Sequence, residues 1–295
     1  MTLTLTELPM VADARMAAAL PWVVVALWAS VAAWSALGFR RARHTTLAAP
    51  AAWCVASALT IAAVEFYLEG AGVPDRSLKA SVWRYASAVS TCCPLIAVLG
   101  AKRPQDRGWQ WIVVSLWVTL LVPAGQAIAI SSAGGIELFV VWRLLLAGLI
   151  MMSLLNYLPT RYAVPVLLSA AAQTLLLHDY FFAEAHDPET YFLVRVGPPI
   201  LLLTAYALVE YARTPTTQQR ADRHTARWLA FRNNWGAFWA LRIMQRFNQT
   251  AELHHWPVRL DWFSGLTSRD APPDAAIEQS LDSLLRRFER SGAGR

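Results

Sequence analysis

Seven apolar runs of about twenty residues, nearly free of charge, follow one another between Ala17 and Tyr211, and they limit the possible folds more than any other feature. They are Ala17 to Leu37, Leu47 to Leu68, Val82 to Leu99, Trp109 to Ile130, Ile136 to Leu158, Tyr162 to Phe182 and Tyr191 to Tyr211. Each lies near the roughly 17 to 25 residues that a helix needs to cross about 30 Å of hydrocarbon. Lipid offers no hydrogen bonds, so the backbone must satisfy itself, which runs of this length do as helices. The sequence therefore predicts an all-α polytopic membrane protein, a seven-transmembrane-helix bundle. The third run is the least regular, because Pro94 interrupts it and Arg84 sits near its start. Composition agrees: 56% of residues are hydrophobic and 16% charged, against roughly 45–50% and 25% in soluble domains. An ordinary soluble enzyme is excluded, and fourteen tryptophans suit bilayer interfaces.

Charge sets the expected orientation. The first run follows Glu7, Asp13 and Arg15 and precedes Arg40, Arg41 and Arg43, the reverse of a cleaved signal peptide, so it reads as a retained helix. With that arginine cluster on the cytoplasmic side, the alternating loops place Lys102, Arg103, Arg107, Arg161 and the basic tail there too. The opposite side receives Asp75, the near-neutral Ser131 to Gly135, and the acidic Asp179, Glu184, Asp187 and Glu189; Arg76 and Lys79 run against the trend. The positive-inside rule then puts the amino terminus outside and the carboxyl terminus inside the cytoplasmic (inner) membrane. Residues 1–16 form a short extracytoplasmic segment, 17–212 the membrane domain and 213–295 the tail.

The inward-running helices carry Arg84, Arg143 and Arg195, each after an acidic residue on the outer side (Asp75, Glu137 and Glu189), so three copies of one hairpin are a possible internal repeat. An arginine at the centre of a membrane helix costs about 2.5 to 3.5 kcal/mol on insertion scales. Arg143 lies roughly 10 Å of helix beyond Gly135, deeper than an interfacial residue. Glu65 falls at the level of Arg84 and Arg195. A ring of these arginines with Glu65 and Glu137 as counter-charges would form an outer-leaflet site for an anionic or polar ligand. Arg84, Ser87, Thr91 and Cys92 share one helical face, as do Ser169, Gln173, Thr174 and His178; Gln126 and Tyr206 are placed to join them. The plainer reading is that small and polar side chains mediate helix packing.

Other signals carry less. Cys92 and Cys93 lack Met or His at matched spacing, so no metal is expected, and His178 and His186 flank an acidic loop without a two-ligand helical spacing. No phosphate-binding glycine loop, nucleophile triad or zincin motif is present, and neither a catalytic residue nor a cofactor is predicted. Trp235 to Trp239 is similar to the opening of the tryptophan-rich signature of haem-handling membrane proteins of cytochrome c maturation. The likeness stops there, because Ala240, Leu241 and Arg242 follow and the orientation puts the segment on the cytoplasmic side.

The tail holds 13 Arg and 8 acidic residues. Its helix, about 218–253, interleaves Trp228, Phe231, Trp235, Phe238 and Trp239 with Arg232 and Arg242, a pattern for a helix lying on anionic inner-leaflet lipid or packing on the bundle. Nucleic acid is the more distant partner for a membrane-tethered tail. An extended segment, about 254–266, alternates Val258 and Leu260 with Arg259 and Asp261. A short helix, about 274–290 after a linker at Arg269 to Pro273, is capped by Asp274 and repeats Ile277, Leu281, Leu285 and Phe288 on one face that something must cover. The expected function is that of a non-catalytic scaffold, assembly or accessory subunit of a membrane complex. A transporter or ligand-sensing receptor using Arg84, Arg143, Arg195 and Glu65 is the alternative.

Overall fold

A computed structural model describes residues 7–130, 135–182, 188–213, 223–268 and 275–289. Six helical stretches are long and apolar enough to cross a membrane. They are Ala19–Ala42 within α1 (Glu7–Ala42), α2 (Ala48–Gly70), Leu78–Leu99, Trp109–Ile130, α7 (Val140–Tyr157), and Thr190–Arg213 within α10 (Pro188–Arg213). Leu78–Leu99 comprises α3 (Leu78–Val89) and α4 (Cys93–Leu99), and Trp109–Ile130 comprises α5 (Trp109–Leu120) and α6 (Val122–Ile130). The chain is thus a multi-pass, membrane-embedded helical protein. The run expected at Tyr162 to Phe182 divides at Leu177 into α8 (Ala163–Leu176) and the single turn α9 (His178–Phe181). Alone, the 14 residues of α8 extend about 21 Å, less than the hydrocarbon thickness.

Pro94 breaks the third span in a way its neighbours repair. Proline has no N–H to give Ser90, and a 3-10 turn, Ser90–Cys92, separates α3 from α4. Carbonyls at the kink gain donors from other helices: the Ser57 hydroxyl of α2 donates to Ser90 O at 2.8 Å, and Gln173 Nε2 of α8 to Thr91 O at 2.9 Å. Irregular backbone at membrane depth persists only with such compensation. α1 packs on α2 and α10, α2 also on α3 and α4, and α8 on α10, whereas α5 and α6 lean on α3 and α4. α7 packs chiefly on α8 and on the tail helix, so among the described residues the fourth and fifth runs pack on each other less closely than the other two candidate hairpins do.

The tail folds into a cap: α11 (Arg223–Leu253), an antiparallel hairpin of β1 (Val258–Asp261) and β2 (Gly265–Ser268), and α12 (Ala275–Leu285) ending in a 3-10 turn to Phe288. Trp228, Phe231, Trp235, Trp239, Leu281, Leu285 and Phe288 are buried, and Phe231 stacks on Trp235 with ring centres 5.0 Å apart. Of the two dispositions open to these aromatics, they take the packed one. Burying them supplies the apolar cover that the α12 stripe demands. Val258 and Leu260 turn inward and exposed Arg259 outward, the alternation read from sequence. The hairpin turn is tied by Asp261, whose Oδ1 accepts from Phe263 N, Ser264 N and Ser264 Oγ. These bonds, led by those from Ser264, hold the Asp261 pKa down to about 2. The helix start at Gln218, the linker Arg269 to Pro273, the cap Asp274 and loop residues 131–134, Glu184, His186 and Asp187 lie outside the described residues, as do the side chains of Glu7, Asp13, Arg15 and Glu189.

The cap docks on three inter-helix loops. Thr46 N donates to Phe288 O at 3.0 Å, Arg103 N to Arg287 O at 3.0 Å, and Arg161 N to Asn233 Oδ1 at 3.4 Å. The Trp239 indole donates to Val98 O at 3.0 Å. One glycine makes the fit possible. At Gly236 α11 breaks with φ at 74°, and a Cβ there would lie 2.3 Å from Asn156 Nδ2 of α7. Asn156 Oδ1 in turn accepts from Phe238 N at 2.9 Å, beside the break. Gly236→Ala combines a left-handed backbone with this clash, so it is expected to lower stability by about 1–3 kcal/mol or more. Thermal unfolding of the purified protein checks this, and an unchanged midpoint would refute the assigned fit.

Candidate functional site

At the end of the bundle away from the cap, α2, α3 and α10 bring four charged side chains together. Glu65 stands five residues before the end of α2 and Arg84 six after the start of α3, and the connecting loop carries Asp75. Both turns are helical, so carboxylate and guanidinium meet at one level. Arg84 Nε lies 3.2 Å from Glu65 Oε1, and Arg84 Nη2 lies 2.5 Å from Asp75 Oδ1. Arg195 Nη2 of α10 reaches the other Glu65 oxygen at 2.8 Å, while its Nη1 stands 3.7 Å from Asp75 Oδ1, beyond hydrogen-bond range. Tyr191, one turn before Arg195, donates its hydroxyl to Asp75 Oδ2 and places its ring under the guanidinium at 5.7 Å.

Two guanidinium groups and two carboxylates cancel. Glu65 is only 8% exposed, and a lone buried ion would carry a penalty of several kcal/mol that this pairing offsets. Burial works to raise the Asp75 pKa, but the Tyr191 hydroxyl and the arginines outweigh it and hold the carboxyl below its usual 3.8. Arg84 and Arg195 thus turn donors toward the protein's own acids, while the buried Arg195 Nη1 keeps no hydrogen-bond partner among the described residues. An anionic ligand here would compete with Glu65 for them.

The other predicted members are dispersed. Arg143 makes no ion pair among the described residues, and its buried Nε has no hydrogen-bond partner. Glu137, its expected counter-charge, is exposed, so the ring reduces to two arginines. Gln126 lies on the exposed face of α6. His178 opens α9, with its ring 5.0 Å from Phe182 and Nδ1 3.7 Å from Asp179. The same turn reaches α3, where the Tyr180 hydroxyl donates to Ser81 O at 2.8 Å. Gln173 bonds the kink in the third span and faces a second feature.

That feature is a mainly apolar cavity of about 290 Å³ between α1, α2, α4, α7, α8 and α10, toward the cap side. Its volume sits near the roughly 300 Å³ lower limit for small-ligand sites. Thr91, Ser169 and Gln173 of the predicted polar faces line it, joined by Ser57, Tyr157 and Tyr206. Tyr206 is fixed by a 2.8 Å bond between its hydroxyl and Ser35 Oγ. Sequence reasoning missed Tyr157, although a tyrosine closing an apolar run was the available signal. In the cap, Arg232 is buried; its Nη1 donates to Trp262 O at 2.5 Å and its Nη2 to Asn233 Oδ1 at 2.9 Å. Burial, then Arg161, lowers its pKa. Arg242 remains exposed, stacked on Phe238 at 4.2 Å.

Comparison with protein-family models, with curated proteins and with solved structures returns no match.

Two outcomes follow from the charge network. Glu65→Gln leaves Arg84 and Arg195 facing each other in a buried site, and the expected loss is about 3–5 kcal/mol, read as a lower unfolding midpoint. Because the folded Asp75 pKa is depressed, its contribution is complete above the unfolded value near 3.8 and is lost as pH falls through the lower folded value. Unfolding midpoints of wild type and Asp75→Asn should therefore differ at neutral pH and converge in strong acid. A constant gap across that range would contradict the assignment.

Proposed function

We propose that the chain is a non-catalytic, multi-pass protein of the cytoplasmic (inner) membrane that works as a scaffold, assembly or accessory subunit. What carries this reading is the commitment of its polar side chains to the fold. Glu65, Asp75, Arg84 and Arg195 neutralise one another, Gln173 and Asn156 satisfy broken backbone, and Arg232 holds the hairpin turn. The cap and the bundle are then one platform, with anionic inner-leaflet lipid and a membrane-protein complex as its partners. Native mass spectrometry after gentle extraction from the native membrane tests this. A partner subunit at fixed stoichiometry is expected, and the protein alone under conditions that preserve known complexes would overturn it.

Seven crossings, with the amino terminus outside and the carboxyl terminus inside, belong to the same proposal. Support comes from the chain path: α8 starts beside Arg161, which meets the cap, and α9 ends beside Ser81 at the opposite end. Together they run from the cap end of the bundle to the opposite end, as each long span does. Arg43, Lys102, Arg103 and Arg161 all occupy the cap side, which the positive-inside rule assigns to the cytoplasm. Single cysteines at Arg76 and Arg107 check this: an impermeant maleimide added to intact cells should label the first and spare the second. The reverse labelling would invert the orientation.

A second reading, a transporter or ligand-sensing receptor, is favoured by the cavity lined by Gln173 and Tyr206 rather than by the outer arginines. Bulk placed there by Ser57→Phe would abolish ligand-dependent stabilisation under that reading.

A further inference from the structure

The second half of α11 repeats Trp239, Arg242, Ile243, Arg246 and Gln249 at spacings of three and four, so these residues share one face. Ile243 and Trp239 are buried against the cap and the end of the third span, which fixes where the face points. It meets the loop after α4, carrying Lys102, and the turn after α12, carrying Arg287. Backbone contact between Arg103 N and Arg287 O at 3.0 Å holds those two segments together. Between them lies a cavity of about 270 Å³, lined by Lys102, Arg242, Arg246 and Arg287 together with Trp239 and Gln249.

Four cations line this space and no carboxylate does. None of the four makes an ion pair among the described residues, although other cap arginines do: Arg227 holds both Asp282 and Glu289. Lys102 Nζ and the Arg242 guanidinium each lie 5.5 Å from the Trp239 ring. Burial, then Arg246, Arg287 and Arg242, lowers the Lys102 pKa, the mark of like charges sharing one site. An anion placed among them would relieve that repulsion, and guanidinium forks match the oxygens of a phosphate.

We propose that this pocket binds a phosphate-bearing anion, either the headgroup phosphate of an anionic lipid or a small soluble phosphorylated compound. Its volume admits a headgroup-sized ligand. Lys102 follows Leu99, the last residue of the third span, by three positions, so the pocket sits where a headgroup would lie. The lipid source rests on the orientation proposed above, and the soluble source is independent of it.

The test uses the full chain. In detergent, the unfolding midpoint is followed against inorganic phosphate and glycerol phosphate, with chloride at matched ionic strength as the control. In parallel, the midpoint is compared in nanodiscs of phosphatidylcholine alone and with phosphatidic acid. Saturable stabilisation by the soluble phosphates, weakened at least tenfold by Arg246→Gln and retained by Arg246→Lys and by the distant Arg259→Gln, identifies a soluble ligand. Stabilisation by phosphatidic acid alone, with the same variant pattern, identifies lipid. Should Arg246→Gln fail to fold, Lys102→Gln takes its place. No stabilisation in either arm, or stabilisation that the pocket variants leave intact, overturns the proposal.

Discussion

Within a bilayer no polar group can be left for water to satisfy, and this one constraint orders the whole structure. Glu65 is its focus. One carboxylate on α2 receives guanidinium groups from α3 and α10, so three helices are fixed in depth and rotation by a single pair of oxygens. The same demand explains the kink at Pro94, where Ser57 and Gln173 donate to carbonyls that a straight helix would have satisfied internally. At both places, charge and backbone are treated alike: the break in the apolar fabric is closed by a side chain from another helix.

Much of this was legible in the sequence, for identifiable reasons. Uncharged run length located six of the spans within a few residues, because hydrocarbon thickness dictates it. The strand at Val258 followed from alternation, and the buried face of α12 from its spacing. Glu65, Arg84 and Arg195 were singled out by their cost in lipid, and the structure brings them together. Arg143 was singled out on the same ground and stands apart, since cost reveals that a residue needs a partner without revealing which one. The division at Leu177 was not legible, because hydropathy stays high through it. Nor was the fate of the tail aromatics: a stripe of Trp and Phe flanked by Arg has one pattern whether lipid or protein covers it, and contacts distant in sequence, such as Gly236 against Asn156 and Trp239 with Val98 O, settle the packing.

The cap divides its arginines by role. Arg227 and Arg232 are engaged by carboxylates, an amide and a carbonyl, and serve packing. The four cations of the pocket beside Trp239 make no ion pair among the described residues, although a backbone bond from Arg103 N to Arg287 O holds two of its walls together. A folded scaffold holding like charges together spends stability on doing so, which is the ground for the anion site proposed above.

The link from Arg195 to Glu65 joins residues 130 positions apart, whereas that from Arg84 to Glu65 spans 19. During membrane insertion, which proceeds from the amino terminus, α2 and α3 precede α10, and of the four clustered charges they bring Glu65, Asp75 and Arg84. The last span then arrives with Arg195 and meets a carboxylate waiting at its own depth. The last span supplies the second cation, so the balance among Glu65, Asp75, Arg84 and Arg195 closes only once the final helix of the bundle is in place.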